Sequence, residues 1–167
     1  MAQMVILTDN DIDNLIRGDK FLQASVLNNS KWKIVGAHRK KEVPVSDMQG
    51  NDSFAMFWRQ TTYDALDFTV GLSYKVPDST QRINLIRCNG KSHTHTNKLE
   101  GNKLEVTFHI HRATEKYQNM GFKAEDHAET TDEYSTMDEA FKYLCLLTSV
   151  RIGDGTQTGI DSDWRNK

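Results

Sequence analysis

Proline is nearly missing from this chain, and so is cysteine: there are two of each in 167 residues. Cys88 and Cys145 stand in no metal-binding spacing and cannot form a disulfide framework. Reduced, buried thiols in a cytosolic protein are the expectation. No apolar run approaches the roughly 20 residues that cross a bilayer, so no membrane association is expected. The start, MAQMVILTDND, lacks a basic segment followed by a long apolar one, so no signal peptide is expected. Neither sign of charge is in excess, with a net charge of −2. The totals therefore do not suggest a broad nucleic-acid or membrane surface, and a local patch stays open. Internal repeats, a G-x-S-x-G elbow, a Walker A run, a G-x-G-x-x-G turn and H-E-x-x-H are all missing.

What is present reads as one domain over residues 1–152, followed by a polar, flexible tail over 153–167. Thr8-Asp9-Asn10-Asp11 starts a helix carrying Ile12, Leu15 and Ile16, and Gly18 stops it. Phe21 and Leu22 fit a second short turn. Lys31 to Lys41 reads as a strand with a basic end, and Val43-Pro44-Val45 as extended chain. Gln49 to Asp52 is a turn. Phe54 to Gln60, apolar on both faces, is a central strand. Leu66 to Val76 alternates strictly, as a strand buried on one face does. Ile83 to Cys88 is a further strand that Asn89-Gly90 closes. Leu104 to Arg112 repeats the alternation, with Leu104, Val106, Phe108 and Ile110 inward. Thr114 to Met120 is a short helix or turn with Gly121 as its exit. The acidic stretch Glu125 to Glu133 reads as a surface loop. Thr136-Met137-Asp138-Glu139 opens a helix reaching about Val150, with an apolar stripe through Ala140, Phe141, Leu144 and Leu147. In the tail, Asp154, Thr156, Thr158 and Gly159 echo a calcium loop, but Arg165 stands where that loop needs a bidentate glutamate.

Four of the six histidines fall in two H-x-H pairs, His93/His95 and His109/His111. On a strand, His109 and His111 project together, roughly 7 Å apart, opposite Phe108 and Ile110. If Ser92 to Leu99 pairs with Lys103 to Ile110 about a turn at Glu100-Gly101-Asn102, register decides the chemistry. Even-sum pairing, His93 with His111 and His95 with His109, places all four imidazoles on one polar face with Glu105 and Thr107. That register is expected, because burying two imidazoles costs more than exposing Leu99.

Three functions suit such a face. It can bind a divalent transition metal through His93, His95, His109 and His111, with Glu105 as an extra ligand. It can run metal-free acid–base chemistry on RNA, with His109 or His111 as base and the other or His95 as acid. Lys91 or Arg112 would then clamp phosphate, with Thr107 beside them and Lys98 and Lys116 close in sequence. Or it can be a surface for a protein partner, in which case replacing His109 and His111 should leave stability nearly unchanged.

The segments NGKSHTHTN, FHIHRATEKYQ, AETTDEY and MDEAFKYL resemble a small prokaryotic family of unknown function. The likeness covers about Asp64 to Leu147 and rests on N-G-x-S-H-x-H-T-N and F-H-I-H-x-A-T-E-x-Y-Q. In layout such proteins resemble histidine-rich meander toxins of toxin–antitoxin modules. The resemblance implies a prophage or mobile-element setting, and with it the RNA-processing reading and a partner-binding accessory role of toxin–antitoxin or counter-defence type; the cytoplasmic location is expected from the cysteines. The expected fold is α+β: an antiparallel meander of about five or six strands, with N- and C-terminal helices packed on one face. The C-terminal helix is expected against Leu66, Phe68, Val70, Val106, Phe108 and Ile110.

Overall fold

The structure, a computed structural model, describes residues 3–154. The echo of a calcium loop beyond Asp154 and the tail that carries it lie outside the described residues. The chain is mixed α+β with a dominant antiparallel sheet, and none of its described helices is long and apolar enough to cross a membrane.

The first helix, α1 (Asp9–Arg17), forms where its cap predicts. Thr8 Oγ1 accepts from the Asp11 N–H, and the Asp11 carboxylate accepts from the Thr8 N–H. Ile12 and Ile16 are buried, and Gly18 ends the helix. Phe21 and Leu22 belong to a strand rather than a turn. This is β1 (Lys20–Gln23), followed by α2 (Ala24–Asn29). The basic segment expected as one strand is a hairpin, β2 (Lys33–Val35) and β3 (His38–Val45). It reverses at Gly36, whose φ of 61° suits a residue without Cβ.

Next come β4 (Phe54–Thr61), β5 (Phe68–Lys75) and β6 (Arg82–Asn89), as the alternating patterns predict. A short hairpin follows, β7 (His95–Thr96) and β8 (Lys103–Leu104), then β9 (His109–Arg112) and α3 (Glu115–Asn119). The acidic stretch expected as a loop contains β10 (His127–Thr130), and Glu125 just before it is buried. The last elements are α4 (Met137–Thr148) and β11 (Val150–Gly153).

The main sheet has seven strands in the order β10-β9-β6-β5-β4-β3-β2, every neighbouring pair antiparallel. A parallel pair, β1 with β11, joins the two ends of the described chain. Val43, Met56, Val70, Leu72, Ile86 and Cys88 share one apolar cluster with Ile12 and Ile16 of α1 and with Ala140 and Leu144 of α4. Of the expected α4 neighbours, Leu66 and Val106 do not belong there, being 40% and 46% exposed. The Leu104–Arg112 alternation is split: Lys103–Leu104 pairs in the small hairpin, and only His109–Arg112 enters the main sheet.

A bulge in β6 sets which residues face away from this core. Ser73 of β5 pairs with Asn84, and Leu72 with Ile86, so Leu85 is the extra residue. Leu85 and Ile86 are both buried, and the phase slip turns Arg87 and Asn89 to the polar face. The sequence carries this slip as Ile83 and Leu85 followed by Ile86 and Cys88. Gly90, read as a turn residue, is a packing requirement: a Cβ there would lie 1.9 Å from the Leu66 carbonyl oxygen.

Candidate functional site

The polar face of the sheet is assembled by register. His111 pairs with Arg87 and His109 with Asn89 across β9 and β6, and Arg87 pairs with Gly71 of β5. On the other side of β9, Ala128 and Thr130 of β10 face His111 and His109. The β7–β8 hairpin lies over this end of the face. The Asn97 amide fastens it, its Nδ2 donating to the Ala128 carbonyl at 2.9 Å and its Oδ1 accepting from the Ala128 N–H at 2.8 Å. His95 adds a tie, with Nε2 2.9 Å from the Asp126 carbonyl oxygen. Glu100 accepts from the Tyr117 hydroxyl at 2.5 Å, and this bond chiefly holds its carboxyl near 2. Asn97 was not singled out in the sequence reading. Its place at the end of N-G-x-S-H-x-H-T-N is the signal that could have marked it.

The four imidazoles do gather, by a different route from the expected one. His95 pairs with Leu104 and Thr96 with Lys103, an odd-sum register, and the first histidine pair never pairs with β9. The hairpin is a second layer folded on the sheet. Ring centroids lie 4.6 Å apart for His95–His111, 5.1 Å for His109–His111, 5.7 Å for His93–His109 and 6.0 Å for His95–His109. His93 is exposed and His95 half-buried, whereas His109 is 0% and His111 3% exposed. This burial overturns the expectation of an exposed histidine face. The cost of burial is met by backbone carbonyls: His109 Nδ1 donates to Thr107 O and His111 Nδ1 to Glu125 O, each at 2.8 Å.

Burial also holds both rings neutral. It pushes the His111 pKa down to about 2, aided by the Arg87 charge and then by His109 and His95. It lowers His109 as well, with the neighbouring His93 and His95 adding to the effect and the Thr107 carbonyl opposing it. A base with so low a pKa takes a proton poorly at neutral pH. The assignment of His111 as base or acid in metal-free cleavage is therefore disfavoured. Among the described residues no three His, Cys, Asp or Glu side chains hold a metal-binding arrangement as they stand.

The expected phosphate clamps are mostly engaged elsewhere. Arg112, one residue past His111, falls on the opposite face and pairs with Asp13 of α1. Lys98 pairs with Asp126, and Lys116 with Glu100. Lys91 is exposed on the loop after Gly90, and Glu105 is exposed beyond β8. Thr107 contributes its carbonyl to His109 rather than a side chain to a ligand.

The charge lies further along the same face, in a cleft of about 750 Å³. The β2–β3 hairpin brings Lys33 and Lys40, with Lys31 just before it, while Lys41 reaches the lining from the other strand face, its ammonium over the Trp32 and Trp58 rings. Arg59 comes from β4, Arg82 and Arg87 from β6, and Lys123 from the segment after α3. Only Glu42 and Glu125 oppose them among the residues lining the cleft. Eight cations against two carboxylates give the cleft +6 on a chain of −2, so everything outside it carries −8. Arg87 and Glu125 join the two parts of the face. Their side chains line the cleft, while Arg87 is the register partner of His111 and the Glu125 carbonyl accepts from it.

No family model matches the chain, and neither the curated proteins nor the solved structures contain a match to it.

Proposed function

We propose that the protein binds the phosphate backbone of a single nucleic-acid strand, RNA in the first instance, along this basic cleft. One observation carries the reading: Lys33, Lys40 and Arg59 stand side by side as register partners across β2, β3 and β4. Like charges directly opposite one another destabilise a sheet. Such a row is therefore poor for folding and suited to a polyanion, whose phosphates replace the repulsion by attraction. Phe57 adds a stacking surface. It pairs with Gly71, where a Cβ would lie 2.3 Å from its ring, so the missing side chain leaves room for the ring over the sheet. A basic groove with an aromatic platform is how single strands are held without sequence preference.

The test is fluorescence anisotropy of a labelled single-stranded RNA at 50 mM salt. Binding should weaken by at least about tenfold when Lys40 is changed to Glu, and still further with Lys33→Glu added. No binding by the wild type, or equal binding by a folded Lys33→Glu/Lys40→Glu variant, refutes the proposal. A partner-binding accessory of toxin–antitoxin or counter-defence type would use the same cleft, for an acidic segment of a protein. The buried His109 and His111 cannot be its contact surface. Competition by RNA against a polyglutamate peptide separates the two uses.

A further inference from the structure

The histidine layer asks for a different ligand from the one the basic cleft attracts. Three of its rings have their tautomer set by the backbone. A carbonyl oxygen only accepts, so the nitrogen facing it carries the hydrogen. His109 and His111 therefore hold their hydrogen on Nδ1, facing Thr107 and Glu125, and His95 holds its hydrogen on Nε2, facing Asp126. What remains is a set of lone pairs: Nε2 of His109, Nε2 of His111 and Nδ1 of His95. His109 Nε2 is buried with no hydrogen-bond partner, and so is Oδ1 of Asn89, the residue paired with His109 across the strands. A buried acceptor without a donor is costly, and a bound cation would satisfy His109 Nε2.

We propose that His95, His109 and His111 bind one divalent ion of the zinc class, with His93 closing the fourth position from the rim. The orienting bonds fit this role. Metal-binding histidines ordinarily donate their second ring nitrogen to a carbonyl or carboxylate, which fixes the ring and strengthens the ligand nitrogen. The spacing fits as well. Metal–nitrogen bonds of about 2.0–2.1 Å in a tetrahedron put ring centroids about 5 Å apart. The observed separations, 4.6, 5.1, 5.7 and 6.0 Å, bracket that value. The nitrogens do not yet converge on one point. Uptake requires His93 and the hairpin that carries His95 to close on His109 and His111, whose rings stay held by the Thr107 and Glu125 carbonyls. All-imidazole donors favour zinc, nickel or cobalt over magnesium or calcium, which require oxygen. The ion would lie next to Arg87, at the inner end of the cleft, whether or not that cleft binds RNA.

The experiment is titration of untagged, chelator-treated protein with ZnCl₂ at fixed pH 7.5, read by calorimetry and by thermal melting. Co²⁺ serves as a spectroscopic substitute. One ion per chain is expected, with a higher melting temperature and a visible tetrahedral Co²⁺ absorption. His95→Ala removes the tie to Asp126 and should lower the metal-free melting temperature, but the Asn97 amide still fastens the hairpin and the variant should stay folded. It should weaken uptake by more than about 100-fold, beyond the loss of an orienting partner alone. His93→Ala should weaken it less, and His38→Ala, distant on β3, should leave it unchanged. No uptake by folded wild type, or undiminished uptake by His95→Ala, overturns the proposal.

Discussion

Changing His109 and His111 together to Ala should unfold the protein more readily, by about 3 kcal/mol in a urea melt, because buried volume and two hydrogen bonds are lost. An unchanged midpoint would mean that the rings are exposed in solution. The two residues looked like surface groups because they alternate with Phe108 and Ile110, and alternation gives the face without saying what covers it. Lys20 is the reverse case. It passed unremarked in the sequence, yet it is 1% exposed and donates to the carbonyls of Ile16, Gly18 and Thr148 at 2.7–2.9 Å. Its ammonium thus serves the C-terminal ends of α1 and α4, where a cation is favoured. Lys20→Met should cost about 2–4 kcal/mol through those unpaired carbonyls. Burial lowers the Lys20 pKa from 10.5 to about 8, with Asp19 opposing. The native state then holds fewer protons than the unfolded chain between those values. This group's cost to stability is full below about pH 8 and relieved toward 10.5, so stability attributable to it rises with pH. Melts of wild type and Lys20→Met across that range should diverge accordingly; parallel curves would refute the shift.

At the scale of elements, the β2–β3–β4 cation row makes a prediction of opposite signs. Lys40→Glu places a carboxylate between Lys33 and Arg59, so stability should rise by about 0.5 kcal/mol while RNA affinity falls. A variant that loses both, or gains both, would break the link between the row and binding. Gly71 and Phe57 form a second coupled pair. Gly71→Ala should destabilise by about 1–3 kcal/mol because its Cβ strikes the ring. In a Phe57→Ala background that penalty should vanish, and additive effects in the double-mutant cycle would exclude the contact. The central strands were legible because their alternation is local, and α1 and α4 because their caps are local. β1, β10 and β11 were not. Each is only four residues long, and its pairing comes from residues distant in sequence or from chain beyond a helix. The Lys31–Lys41 segment was seen as basic, but its fold-back at Gly36 was missed, since one glycine signals a turn only weakly.

Over the whole molecule, the division into a +6 cleft and a −8 remainder should govern solution behaviour. If about six phosphates are engaged, raising salt from 50 to 200 mM should weaken RNA binding on the order of 10²–10³-fold. A flat salt response would exclude phosphate contacts as the source of affinity. Multivalent anions such as sulfate should raise the melting temperature more than chloride at equal ionic strength, by relieving the cation row.

The sequence by itself determined the α+β class, the central strands and the two capped helices, and it marked the H-x-H pairs as candidates. These follow from hydrophobic period, capping chemistry and residue type, all properties of neighbours along the chain. The tertiary structure alone decided that His109 and His111 are buried, that Arg112 turns away to Asp13, and that eight cations from four separate segments meet in one cleft. Register across strands and the folding of the β7–β8 hairpin over the sheet fix those outcomes. Both depend on which distant segments pack together, and no local pattern encodes that choice.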